Sequence, residues 1–156
     1  LCKMAAEKGY KMFFLGAAEG VAAKAAENLM YRFKGLQIVG TYSPPFSFEK
    51  DPVEMDKIKS MIKESGADIL IVGLGCPKQE KFMYRHCAEL GVPISFGLGA
   101  SFDFEAGNIK RAPRWMANHG LEWLFRITQD PRRMAKRYLV DDRKILGLAI
   151  KYRPNK

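Results

Sequence analysis

The sequence predicts an α/β protein, a parallel sheet flanked by helices, with a basic all-helical appendage at its C-terminal end. Three observations lead there. Short apolar runs alternate with amphipathic segments as far as Gly97. Two successive runs close on the same Gly-x-Gly pattern. The charge is unevenly divided: residues 1–107 hold 13 Lys/Arg against 13 Asp/Glu, whereas residues 108–156 hold 13 against 4 and carry the whole net charge of +9.

The chain opens on Leu1 inside what reads as a helix, so further residues are expected upstream. Lys11–Gly16 (KMFFLG) is a short buried strand. Glu19–Phe33 spaces Val21, Ala22, Ala25, Ala26, Leu29, Met30 and Phe33 three and four apart, which predicts an amphipathic helix. Leu36–Tyr42 (LQIVGTY) is a second strand. Pro44 and Pro45 end it, because neither can donate a ladder hydrogen bond. A helix begins at Asp51-Pro52, carries Met55, Ile58, Met61 and Ile62 on one side and stops at Gly66. Ala67–Leu74 (ADILIVGL) is a near-continuous apolar strand suited to the middle of a parallel sheet. Pro77–Leu90 is the next helix, with Pro77 at its first position and Gly91 beyond its end. Val92–Gly97 (VPISFG) is the last strand. From Asn108 on, helices are predicted at about 113–118, 121–128, 131–139 and 141–152.

Size and composition exclude several classes. A chain of 156 residues buries roughly 70% of its unfolded surface and needs no disulfide staple. The hydrophobic content of 47% excludes a disordered or fibrous chain, and no apolar run reaches the ~18 residues of a membrane span. Cys2, Cys76 and Cys87 are odd in number and lack CxxC spacing, which argues against a disulfide framework or a zinc knuckle and for a reducing cytosol. Cys76 precedes a helix start, but with only His86 and His119 available no Cys–His pairing follows from position, and a thiol enzyme is disfavoured. His86-Cys87 is a poor ligand pair and reads as part of a packed helix.

Two adjacent strand ends form the candidate site. Gly73 and Gly75 close one strand, and Gly97 and Gly99 close the next. Parallel strands bring these ends to one edge, where open α/β sheets bind ligands. The glycines either admit a ligand close to the backbone or simply make tight turns. After Gly75, the helix start at Pro77, Lys78, Gln79 and Glu80 offers N–H groups and a positive dipole end to a diphosphate. Lys78 adds a charge or is solvated. Gln79 offers a donor and an acceptor to a sugar or a base. Glu80 answers the helix dipole. Asp103 accepts from a ribose or base, or serves as a cap; the pair Asp103-x-Glu105 is only a weak metal signal.

The appendage needs an anion. Arg132/Lys136 and Arg133/Arg137 are like-charge pairs four apart, each costing an isolated helix about 0.2–0.5 kcal/mol. Arg126 follows Glu122 by four, so an intrahelical ion pair competes with an anionic partner there. The last helix starts at Asp141-Asp142 and carries Ile145, Leu146, Leu148, Ala149 and Ile150 on one side, which suits packing on the body or a membrane interface. Lipid headgroups, a phosphorylated substrate and nucleic acid all fit such a segment.

VGLGCPKQE (Val72–Glu80), FGLGASFDFEAG (Phe96–Gly107), KRAP (Lys110–Pro113), GLEWLFR (Gly120–Arg126) and PRRMAKRYL (Pro131–Leu139), in this order, resemble the WecG/TagA/CpsF glycosyltransferase family across nearly the whole chain. The resemblance implies a Rossmann-like sheet spanning residues 1–107, as the later part of a sugar-nucleotide domain, and a membrane- and substrate-engaging appendage at 108–156. It implies an inverting, UDP-sugar-dependent transferase that uses no metal or other cofactor and works peripherally at the cytoplasmic face of the membrane. TagA-type members move N-acetylmannosamine from UDP-ManNAc to undecaprenyl-diphosphate-linked GlcNAc for the wall teichoic acid linkage unit. WecG-type members move N-acetylmannosaminuronic acid. Self-association occurs in the family, and nucleic acid is not an expected partner. Carried over residue by residue, Gln79 and Asp103 belong to the sugar-nucleotide site, and Arg126 and Arg133 to the appendage. Charge adds Arg111 and Arg137. The family's general base, an aspartate in an Asp-Gly motif, has no counterpart in these residues and is expected upstream of Leu1.

Overall fold

The computed structural model describes residues 1–129 and Pro131. The sheet contains β1 (Lys11–Gly16), β2 (Gln37–Tyr42), β3 (Ile69–Gly73) and β4 (Ile94–Gly97). All neighbours are parallel, in the order β2-β1-β3-β4. The helices of this first unit are α1 (Cys2–Lys8), α2 (Val21–Arg32), α3 (Pro52–Glu64), α4 (Lys78–Leu90) and α5 (Gly99–Ala106). The alternation read from the sequence is therefore a Rossmann-like layer of strands between helices.

Strand periodicity divides the core between the two faces. Met12, Phe14, Ile69 and Ile71 bury against Ala22, Ala25, Ala26 and Leu29 of α2 and Phe102 of α5. Their neighbours Phe13, Leu15, Leu70 and Val72 bury against Ile58 and Ile62 of α3 and Phe82 and Leu90 of α4. Each apolar residue of an inner strand thus meets a helix, which is why β1 and β3 read as continuous apolar runs. Burying such a side chain contributes about 1.5–3 kcal/mol. Between Met12 and Phe13 the β1–β2 register shifts so that Phe13 lies opposite Gly40. A Cβ at Gly40 would meet the Phe13 ring at 2.4 Å, so this strand position accepts only glycine without repacking.

Among the described residues the predicted helices and strands form, with ends that shift by one or two residues. β3 begins at Ile69, and Asp68 before it is tied to Lys11: its carboxylate accepts from the Lys11 N–H at 2.8 Å and its own N–H donates to the Lys11 carbonyl at 2.9 Å. The Asp51 carboxylate caps α3, accepting from the N–H groups of Val53 and Glu54. Pro77 departs from its predicted place. It is the N-cap of α4, with φ −93° and ψ 13°, and not its first helical residue. The Cys76–Pro77 peptide is cis. Residues 99–106, which carried no helical assignment, form α5. Phe102 and Phe104 stand two apart, a spacing without helical signature, and the single buried anchor is Phe102.

The chain divides into two compact units, the first Leu1–Ile109 and the second beginning at Lys110. In the second, α6 (Arg114–Asn118) and α7 (Glu122–Gln129) occupy the first two predicted helical positions. The Gln129 carboxamide clasps the backbone of Lys110, its Oε1 accepting from the N–H and its Nε2 donating to the C=O, both at 2.9 Å. The predicted helices at 131–139 and 141–152 lie outside the described residues, Pro131 excepted. No helix among the described residues is long and apolar enough to cross a membrane.

Candidate functional site

Three strand ends meet at one edge. The register pairs Gly16 of β1 with Gly73 of β3, and Val72 of β3 with Gly97 of β4. Gly16 is the residue that sequence reading passed over, although its place at the end of KMFFLG was visible. Its φ is +112°, and a Cβ there would lie 2.5 Å from the carbonyl group of Gly73. The edge continues past the strands: Ala17 N–H donates to the Gly73 carbonyl at 2.8 Å, and Leu98 N–H to that of Val72 at 2.9 Å. Ser43, after β2, donates its hydroxyl to the carbonyls of Gly16 and Ala18 at 3.1 and 3.2 Å.

The glycines have different local tasks. Gly73 is a packing residue: a Cβ there would meet the Phe102 ring at 2.5 Å. Gly75 has φ +81° with open space around its Cβ position, so its turn geometry is what calls for glycine. Gly97 and Gly99 both border Gln79. A Cβ at Gly97 would stand 2.6 Å from Gln79 Nε2, and one at Gly99 would stand 3.3 Å from Oε1.

Gln79 is the one buried polar residue of the core among the described residues, with 8% of its surface exposed. Its Nε2 donates to Glu80 Oε1 at 2.9 Å. This fixes the amide orientation, because a flipped oxygen would face a carboxylate. Its Oε1 is then buried with no hydrogen-bond partner among the described residues. An acceptor left so costs roughly 1–3 kcal/mol until a donor reaches it. The surroundings that hold it, at Gly97 and Gly99, belong to the sheet edge.

The other sequence candidates are placed as follows. The Gln79 N–H already donates to the Gly75 carbonyl at 2.9 Å, so it is not among the open N–H groups expected at the start of α4. Lys78 is exposed and paired with Glu49, Nζ to Oε1 at 2.8 Å, with the ammonium 5.0 Å from the centre of the Phe46 ring. That ammonium holds the Glu49 carboxyl below its usual range. Asp103 sits on α5 four residues after Gly99, hence on the same helix face one turn on. Glu105 turns elsewhere, pairing with Arg32 at 2.8 Å across to α2. Positions two apart on a helix diverge, so Asp103-x-Glu105 does not form a two-carboxylate clamp. Among the described residues no three His, Cys, Asp or Glu side chains gather as a metal set. Cys2, Cys76 and Cys87 are free thiols, and burial pushes the Cys2 thiol up. His86 packs against Phe82, ring centres 5.2 Å apart, with Nδ1 3.5 Å from Glu89. Arg111 is exposed ahead of α6, and Arg126 lies on α7. Arg133 and Arg137 lie outside the described residues.

A family model described as "Glycosyl transferase WecG/TagA/CpsF family" matches residues 1–156. The chain is 37% identical over 134 residues to a Bacillus spizizenii protein named N-acetylglucosaminyldiphosphoundecaprenol N-acetyl-beta-D-mannosaminyltransferase, covering 85% of this chain and 49% of that protein. It is 32% identical over 133 residues to a Bacillus subtilis protein of the same name, covering 85% and 50%. The chain therefore spans about half the length of the curated relatives it matches.

Proposed function

The chain belongs to the WecG/TagA/CpsF glycosyltransferase family, and from that premise we propose that its glycine-ended sheet edge holds the UDP-sugar donor of an inverting transferase. The donor is UDP-N-acetylmannosamine and the acceptor is GlcNAc on undecaprenyl diphosphate, in keeping with the names of both Bacillus relatives. The observation that carries the proposal is the buried, unpartnered Gln79 Oε1 beside Gly97 and Gly99. It has no donor among the described residues, and a uracil N3–H or a ribose hydroxyl supplies one. Gly75 leaves open space at the same edge, and Asp103 adds an acceptor one turn along α5.

The reaction is a single displacement. The acceptor hydroxyl oxygen bonds to the anomeric carbon as the bond from that carbon to the UDP oxygen breaks, which inverts the centre. The hydroxyl proton goes to a carboxylate that acts as general base. Charge then grows on the departing diphosphate. The positive end of α4 and the arginines of the appendage, Arg111, Arg126, Arg133 and Arg137, stabilise it. Arginine suits the task because its planar fork grips phosphate oxygens in pairs. The acceptor's lipid requires work at a membrane surface, and the basic segment 108–156 supplies attraction to anionic lipid at the cytoplasmic face.

The test is UDP release by a protein of the relatives' full length carrying these residues, given UDP-ManNAc and lipid-linked GlcNAc. Product with UDP-ManNAc supports the proposal, product only with the uronic acid donor moves the protein to WecG-type chemistry, and no turnover with either overturns it. Vesicle flotation beside a nucleic-acid gel shift separates this function from a nucleic-acid role for the basic segment, which would show a steep salt dependence on RNA or DNA.

A further inference from the structure

A cationic cleft runs from the start of α4, at Pro77 and Lys78, along the side of the helix that does not carry Gln79. The cleft, of about 220 Å³, opens between α4 and the segment that leads into α3. Its apolar lining includes Met55 and Phe82, both buried. Lys78, Lys81 and Arg85 line it along a single stripe of α4, at spacings of three and four. Lys78 is answered by Glu49. Lys81 and Arg85 have no acidic partner among the described residues, and both are exposed.

Like charges stacked along one stripe destabilise a helix, and this stripe gathers three of the 13 Lys/Arg of residues 1–107. Lys81 and Arg85 stand about 6 Å apart along the helix axis, so their side chains can converge on a single phosphate group. The guanidinium provides the paired donors that phosphate oxygens match, and the ammonium a point charge. The buried Met55 and Phe82 below them suit a group that is not itself charged. Gln79 lies about 200° around the helix from Lys81, so this cleft and the glycine-lined edge occupy different sides of α4.

We propose that the Lys81–Arg85 cleft between α3 and α4 is a binding site for a phosphate-bearing group, separate from the sheet-edge site. The phosphate comes either from a soluble anion or from a lipid headgroup, and the experiment separates the two. The full chain is titrated with inorganic pyrophosphate, followed by backbone amide shifts. In parallel it is co-sedimented with vesicles of phosphatidylglycerol and phosphatidylcholine, against phosphatidylcholine alone. The variant Lys81→Gln/Arg85→Gln is compared with Lys3→Gln/Lys24→Gln, which removes the same charge from exposed positions on α1 and α2.

The expected result is a loss of about tenfold in affinity for the cleft variant in at least one arm. The control should change by less than about twofold. Loss in the pyrophosphate arm, with wild-type shifts centred on residues 78–86, identifies a soluble phosphate ligand. Loss in the vesicle arm alone identifies a lipid headgroup. Equal losses in both variants, no loss in either, or no binding by the unaltered chain overturns the proposal. UDP binding at the sheet edge is read separately, so failure here leaves that site standing and failure there leaves this one.

Discussion

The Gln79 carboxamide fills the space that a side chain at Gly97 would need: a Cβ built on Gly97 falls 2.6 Å from Gln79 Nε2 and 3.1 Å from Cδ. One strand end and one helix start are thereby tied together at the edge of the sheet. Glycine at 97 is a condition for Gln79 to sit where it does, with Oε1 buried and unpartnered.

Gly97→Ala should therefore displace a side-chain end, whereas Gly73→Ala should press on the buried Phe102 ring and Gly16→Ala on the backbone of Gly73. Urea unfolding should rank the losses Gly16→Ala, then Gly73→Ala, then Gly97→Ala. Overpacking predicts about 1–3 kcal/mol for Gly73→Ala. Gly97→Ala should instead weaken UDP binding with a smaller change in the unfolding midpoint.

Gln79→Leu separates fold from function more sharply. It removes a buried acceptor that has no partner among the described residues, together with the Nε2 bond to exposed Glu80, so stability should stay within about 1 kcal/mol. UDP affinity, measured by calorimetry, should fall about tenfold or more, as expected when a nucleotide donor loses its buried acceptor. Retained affinity would remove Gln79 from the site.

Acid should open the link between Glu49 and Lys78. The ammonium lowers the Glu49 pKa, so the folded state binds fewer protons at this carboxyl than the unfolded chain. The stabilisation is complete above the usual glutamate range, near ~4.3, and is lost as pH falls through the lower folded value. Side-chain exposures of 43% and 37% leave both groups in contact with solvent, which limits the effect to less than about 1 kcal/mol. Carboxyl-carbon NMR titration should show the depressed midpoint, and Lys78→Gln should return it to the usual range.

The fold was legible to the extent that its elements bury one face. Phe13, Leu15, Leu70 and Val72 announce their strands, and Met55, Ile58 and Ile62 announce α3. Helix α5 escaped because one buried phenylalanine gives no period. At the site, the paired glycines marked the edge and Gln79 stood out by residue type. The division of labour among the glycines was not legible, because Gly73 answers Phe102, far along the chain, and Gly97 answers Gln79. The pairing of Lys78 with Glu49 was not legible, because Glu49 lies in a segment where sequence spacing carries no signal. The stripe formed with Lys81 and Arg85 was readable at spacings of three and four and went unread.

Asp51→Ala should destabilise the first unit by about 1 kcal/mol, since the carboxylate caps two N–H groups of α3. Urea midpoints at pH 7 check this. UDP affinity should hold, because the cap lies at the start of α3 and makes none of the contacts around Gln79.

Arg126→Ala and Arg133→Ala, in a protein of the relatives' full length, should each lower turnover by about tenfold or more while moving the thermal midpoint little, if they meet the departing diphosphate. Unchanged kinetics with either variant would exclude that residue from the role.

The most direct test of the central claim is an amide NMR titration of this chain with UDP. Shifts should concentrate on Gly75, Gln79, Gly97 and Gly99, include the Gln79 side-chain amide, and vanish in Gln79→Leu. Shifts confined to other elements, or none in a chain whose spectrum remains that of the folded protein, would contradict a nucleotide site at this edge.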